Sequence, residues 1–154
     1  MRINSMVSRT LIEVGNTATN LKPSPIEPSW IIEGNPVAES CLLSKSADGQ
    51  AWTVVWRCSE GQFYWNYDYD ETILILEGSI VLENETMPPT RHGPGDVIFF
   101  KNGARAKWLV ESRVRKLAFC RTTQPLLVSF FVRAILKIKR IAVSRKENTE
   151  RLAA

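Results

Sequence analysis

A single histidine in 154 residues leaves little to hold a metal ion. Zinc, iron and manganese sites usually take three or four ligands from His, Cys and carboxylate side chains. The one histidine, His92, lies in Pro88-Pro-Thr-Arg-His-Gly-Pro-Gly95, a stretch that reads as a solvated turn. Cysteine is also scarce. Cys41, Cys58 and Cys120 are an odd number without metal-ligand spacing, which suits reduced, packed thiols in the cytosol. Long apolar runs are missing: no segment reaches the ~18 uncharged apolar residues of a membrane-spanning helix. The first nine residues carry no continuous apolar stretch of the signal-peptide kind. The expected location is the cytoplasm.

A charge excess is missing from most of the chain too. The net charge of +4 is concentrated in residues 126–154, where seven Lys/Arg face two Glu, whereas residues 1–125 hold 13 basic and 14 acidic side chains. The pI near 9.1 therefore describes a tail, and no nucleic-acid partner is expected for the rest.

What the chain does have is β-forming sequence. With 44% hydrophobic residues it is long enough for one domain with a sizeable core. Residues 1–29 are polar and punctuated by Pro23, Pro25 and Pro28, with one short β-like run from Thr10 to Val14. They read as an arm laid across a barrel edge. From Ser29 to Arg121 short runs rich in Val, Ile, Trp, Tyr and Phe alternate with Gly, Asn, Asp and Pro. Cys41–Ser46 leads into a hairpin turn at Ala47-Asp48-Gly49. Strands are then expected at 51–57, 62–67, 72–76, 79–83, 96–100, 106–110 and 115–120. Short strands at even spacing point to an all-β sandwich or barrel, and the lack of an internal repeat points to one barrel.

After Pro125 the periodicity changes. Residues 126–143 lack Gly and Pro, and Ser129, Arg133, Lys137, Arg140 and Ser144 recur at helical spacing on one narrow stripe, with Lys139 outside it. The division expected is an N-terminal arm over 1–24, a barrel over 25–124, and a basic amphipathic C-terminal helix with a frayed end over 125–154. That helix has two possible destinations. It can dock on the barrel or a second subunit, or it can lie on a membrane surface with Arg133, Lys137, Lys139 and Arg140 at anionic headgroups. Docking is the favoured expectation.

Alternation groups the central side chains. Phe63, Trp65 and Tyr67 share one face of their strand, and Tyr64, Asn66 and Asp68 the other. Ala106, Trp108 and Val110 share a face further on. In 51–58 the inward set is either Val54, Trp56 and Cys58 or its opposite.

Two stretches carry a family resemblance. Gly61, Glu71 and Gly78 keep the spacing of the first motif of metal-binding cupins, and Gly95, Asp96 and Gly103 keep that of the second. Trp65, Tyr67 and Ala106 stand at the three histidine positions. The wider pattern is Pro28-x-Trp30, Gly34-Asn-Pro36, Trp56-x-Cys58, Phe63-x-Trp65-x-Tyr67, Asp70-Glu71, Leu76-Glu-Gly78, Trp108 and Val114-Arg-Lys116. Over about residues 25–121 it resembles small bacterial cupins related to ureidoglycine aminohydrolase, with ethanolamine-utilisation cupins as neighbours.

The resemblance implies a double-stranded β-helix, or jelly-roll, barrel enclosing one ligand site, with Trp65, Tyr67 and Glu71 pointing inward. Ureidoglycine aminohydrolases bind manganese through Glu and His; this chain keeps one Glu and no His, so neither metal nor other cofactor is expected. The implied pocket is lined by Trp56, Trp65, Tyr67, Glu71, Ala106 and Trp108 around one carboxylate. A buried carboxylate must be paired, protonated or functional. In the first functional reading Glu71 is an acid/base and Tyr67 its hydrogen-bond partner. The ligand is then a ureide, amino-acid derivative or small sugar acid. The second reading is a non-catalytic sensing or interaction module, expected to be a homodimer.

Overall fold

The structure, a computed structural model, describes residues 11–123. The C-terminal helix expected over 126–143 lies outside the described residues, as do residues 1–10. A compact unit ends at Thr122. Its regular elements are β1 (Lys22–Pro23), a 3-10 turn at Pro28–Trp30, β2 (Ile31–Glu33), β3 (Ala38–Lys45), β4 (Ala51–Asn66), β5 (Asp70–Asn84), β6 (Met87–His92), β7 (Val97–Phe100) and β8 (Arg105–Arg121). No helix of the described residues is long and apolar enough to cross a membrane.

Three long strands organise the rest. β8 lies between β4 and β5, and the order across the sheet is β1-β3-β4-β8-β5-β6, with every pairing antiparallel. Each outer long strand changes partners midway. β4 pairs with β3 along 52–58 and with β2 around Phe63, while β5 pairs with β7 along 71–74 and with β6 along 80–84. The long strands thus belong to two half-sheets that fold over a shared core. This is the jelly-roll solution to closing an antiparallel sheet.

Continuous long strands replace the short pairs that the sequence suggests at 51–57 and 62–67, at 72–76 and 79–83, and at 106–110 and 115–120. The reason is that two glycines expected at strand ends sit at β-bulges. The β4–β8 register shifts between Ser59 and Gly61, and the β5–β8 register shifts on both sides of Gly78. A bulge bends the strand and increases its twist without ending the ladder. Gly78 has φ +74°, and a Cβ there would lie 1.8 Å from the Arg113 carbonyl oxygen. Gly61 packs so close to Pro36 that a Cβ would meet its ring at 2.9 Å. The Arg113 backbone at Gly78 and the Pro36 ring at Gly61 therefore demand glycine at both corners.

The bulge on β4 also reverses the inward parity. Even-numbered Trp56 and Cys58 are buried before it, and odd-numbered Phe63 and Tyr67 after it. On 51–58 Trp56 and Cys58 join the core cluster, whereas Val54 is only partly buried and Val55, from the opposite set, is buried outside that cluster. The Ala47-Asp48-Gly49 turn is present, with Gly49 at φ +71° and Ser46 Oγ donating to Asp48 at 2.6 Å.

Two other expectations are corrected. No strand forms over residues 11–14, where Leu11, Ile12 and Val14 are exposed with no partner strand to pair them. The arm instead attaches further on, where the Arg115 guanidinium donates to the Thr17 carbonyl and β1 pairs with β3. His92 is not in a free turn. It closes β6, an edge strand that accommodates Pro88 and Pro89 because one of its sides needs no ladder donors. Its Nε2 is buried without a partner, and Nδ1 lies 3.7 Å from Asp96.

Candidate functional site

β4, β5 and β8 aim their inward side chains at one cluster. The stretch of β4 after the bulge, Phe63 to Asn66, and the residue following it bring in Phe63, Trp65 and Tyr67, and the stretch before the bulge brings in Trp56. β5 brings in Glu71, and β8 brings in Ala106, Trp108 and Lys116. Strand pairing explains the meeting. Lys116 is the cross-strand partner of both Trp56 on β4 and Ile75 on β5, while Trp65 is opposite Ala106 and Glu71 is opposite Cys120.

The sequence-predicted residues converge. Glu71 is 2% exposed, Tyr67 2%, Trp108 1%, Ala106 3% and Trp56 6%; Trp65 is partly buried against them. The rings pack mostly edge to face: Trp56 contacts Trp65 at a centroid separation of 5.8 Å and Trp108 at 6.1 Å, and Trp30 sits edge-on to Trp65 at 5.5 Å. Tyr67 stacks on Phe100 at 4.2 Å, and its hydroxyl accepts a hydrogen bond from Trp108 Nε1 at 3.2 Å.

The decisive residue is one that sequence reasoning did not assign to the site. Lys116 is 4% exposed, and its ammonium donates to Glu71 Oε1 at 2.6 Å. The same Nζ lies 4.9 Å from the Trp108 ring, 5.0 Å from Trp56 and 5.8 Å from Trp65. Among the described residues Glu71 and Lys116 are the two buried charged side chains. Each compensates the other, and the ring faces add a cation–π contribution of roughly 0.5–2 kcal/mol. Glu71 is thus a paired carboxylate, not a solitary one.

The surroundings feel this pair. Burial first, then the nearby Glu71 charge, holds the Tyr67 phenol well above its ordinary range. Tyr69, beside the same carboxylate, is raised for the same two leading reasons. Burial pushes the Cys58 and Cys120 thiols up to about 12. Lys116 partly opposes that shift at both sulfurs, and Glu71 adds to it at Cys120. All of these groups are neutral near pH 7 in this setting, so the pair is the interior's only strong electrostatic feature among the described residues.

The sequence of residues 45–118 matches the EutQ-like cupin domain family. The fold agrees with that of a protein of unknown function of the DUF861 family from Pseudomonas syringae pv. tomato, at 26% identity and a TM-score of 0.63. That likeness covers 68% of this chain and 46% of the other, so the chain spans about half the length of that relative. The chain is a small cupin of the EutQ-like group. Two EutQ proteins share this cupin's fold. The putative ethanolamine utilization protein EutQ of Salmonella typhimurium matches at 22% identity and a TM-score of 0.50, over 57% of this chain and 72% of that one. EutQ of Clostridium difficile matches at 15% identity and 0.51, over 64% and 81%. No curated protein matches the sequence.

Cupins commonly hold a metal at the centre of the barrel, and the residues of this cupin do not fit one. The histidine positions carry Trp65, Tyr67 and Ala106, and among the described residues no three of His, Cys, Asp and Glu come together. The one central carboxylate already has an ammonium at 2.6 Å, which would repel a divalent cation brought to the same oxygen. A cleft of about 510 Å³ lies elsewhere, beside Tyr64, Glu83, Arg105 and Lys107.

Proposed function

We propose that the barrel interior is a metal-free site for a small polar metabolite, organised by the Lys116–Glu71 pair. The observation that carries this reading is a fully buried ion pair enclosed by Trp56, Trp65 and Trp108. Taking two charges out of water costs several kcal/mol per ion, and well-packed apolar residues often serve stability as well or better. A charge pair kept at the barrel centre is therefore better explained by what it binds than by what it stabilises. In this role Lys116 supplies the positive charge, Glu71 fixes its position and can exchange a proton, Tyr67 offers a hydroxyl, and the indoles form the walls. An aminohydrolase reaction of the manganese type, the activity implied by resemblance, finds no support in this donor set.

Native mass spectrometry and elemental analysis of protein purified without chelator test the proposal together. The expected result is a co-purifying organic molecule, lost on Lys116→Met, with no stoichiometric manganese, iron or zinc. A stoichiometric metal that leaves with Glu71 would overturn it.

A second reading, an interaction module acting as a homodimer, is favoured by a separate observation. Val97, Phe99 and Phe119 are 66%, 54% and 50% exposed, and Thr72 on β5 pairs across to both Phe99 and Phe119. Adjacent exposed aromatics on an outer sheet face suit contact with a second copy. Sedimentation should then show a dimer that Phe99→Ser and Phe119→Ser dissociate. The cytoplasmic location belongs to the same proposal.

A further inference from the structure

We infer that the barrel interior selects a compact aliphatic carboxylate over amines, amides and ureas. This rests on the proposed ligand site, and it follows from what the wall residues have left to offer. The interior's one carboxylate is committed: Lys116 donates to Glu71 Oε1, and the Tyr69 phenol shares the same group. The Lys116 ammonium has three N–H groups and spends one of them on Glu71; its other close neighbours are indole rings. The Tyr67 hydroxyl accepts from Trp108, and its own proton meets no acceptor among the described residues. The indole N–H groups of Trp56 and Trp65 have no partner either. They are not fully buried orphans, because among the described residues His92 Nε2 alone is one. Both therefore reach space that water can enter.

Apart from the lone pairs that Lys116 and Tyr69 leave on Glu71, what is unspent is a set of donors. A ligand that brings only N–H groups leaves these donors unpaired and competes with Lys116 for Glu71. A carboxylate brings about four lone-pair sites and no competing proton. Sites built around unpaired polar groups discriminate strongly against ligands that cannot satisfy them. The aromatic walls favour a short apolar body behind the carboxylate. Trp65, partly buried and edge-on to both Trp30 and Trp56, is the ring that must turn to admit it.

Titration calorimetry on the full chain tests the inference with matched probes: acetate, glycolate and pyruvate against acetamide, urea and ethanolamine. The carboxylates are expected to bind at least tenfold more tightly than the other three and to shift tryptophan fluorescence. Lys116→Met should weaken them tenfold or more. Tyr67→Phe and Trp65→Phe each remove one donor while keeping a ring, and should weaken them about threefold; they carry the test if Lys116→Met does not fold. Equal or tighter binding of acetamide, urea or ethanolamine overturns the inference and leaves the ligand site standing. Failure of all six probes to bind overturns both.

Discussion

Removing either partner of the Lys116–Glu71 pair should destabilise the barrel far more than removing both. Glu71→Gln preserves volume and would cost only about 1 kcal/mol if the carboxylate stood alone in a polar pocket. It does not stand alone. Both side chains are at most 5% exposed and the Nζ to Oε1 distance is 2.6 Å, so the change strands an ammonium among rings. Lys116→Met does the converse and strands a carboxylate 2% exposed to solvent. Breaking a buried pair by removing one partner costs about 3–5 kcal/mol. The Glu71→Gln value should sit at the low end, because the three indoles still solvate the cation and the amide oxygen still accepts from it. The double variant leaves no uncompensated charge and should fall within about 2 kcal/mol of the starting protein. Urea unfolding followed by tryptophan fluorescence gives all four stabilities, with unchanged m-values as the check that compactness is preserved. A coupling energy of about 3 kcal/mol or more is expected. Single costs that add to the double cost within about 0.5 kcal/mol would refute the reasoning, since independent sites behave that way.

Gly78→Ala should be the most damaging glycine change, because the new Cβ would overlap the Arg113 carbonyl and the backbone sits at φ +74°. Gly61→Ala should follow and Gly103→Ala should be mildest of the three, because nothing lies near a Cβ there and only its φ of +87° is unfavourable. Thermal midpoints in the reverse order would contradict the bulge assignment. The buried Cys58 and Cys120 thiols should resist iodoacetamide at pH 8 in the folded protein and react on unfolding, as peptide mapping would show. Their folded-state pKa values are raised, from 9.0 to about 12, so the stabilisation from keeping them neutral is complete below pH 9 and is lost as pH rises through 12. Urea midpoints should fall in that window, and less steeply for a Cys58→Ala, Cys120→Ala variant; equal slopes would show that the thiols are not the cause.

The fold was legible wherever alternation and turn chemistry agreed. Trp, Tyr, Val and Ile at period two marked the strands, and Ala47-Asp48-Gly49 marked its hairpin correctly. What could not be read was whether Gly61 and Gly78 end a strand or bend one. Both outcomes use a glycine flanked by β-formers, and the difference lies in the partner strand: β8 runs unbroken past both corners. Pro88 and Pro89 similarly suggested a turn, because only the sheet order shows that β6 is an edge and tolerates them. The run at 11–14 failed for the complementary reason, since β propensity without a neighbouring strand does not make a sheet.

The central site was half legible, and the missing half was a charge. The cupin resemblance implies that Trp65, Tyr67 and Glu71 point inward, and it includes Lys116 only as part of the family pattern. Yet the signal was present: Ala106, Trp108 and Val110 set an even parity on β8, and Val114, Lys116, Ala118 and Cys120 continue it. A lysine at an inward position among apolar residues must find an anion, and Glu71 is the buried one. The missing histidines and the buried lysine are then two sides of one arrangement. A metal cupin draws its cation from solution and holds it with imidazoles. This chain carries the cation on β8, and indoles, whose faces suit an ammonium, occupy the space around it. The carboxylate on β5 suits either arrangement, since a metal ion and an ammonium are both cations that it can hold.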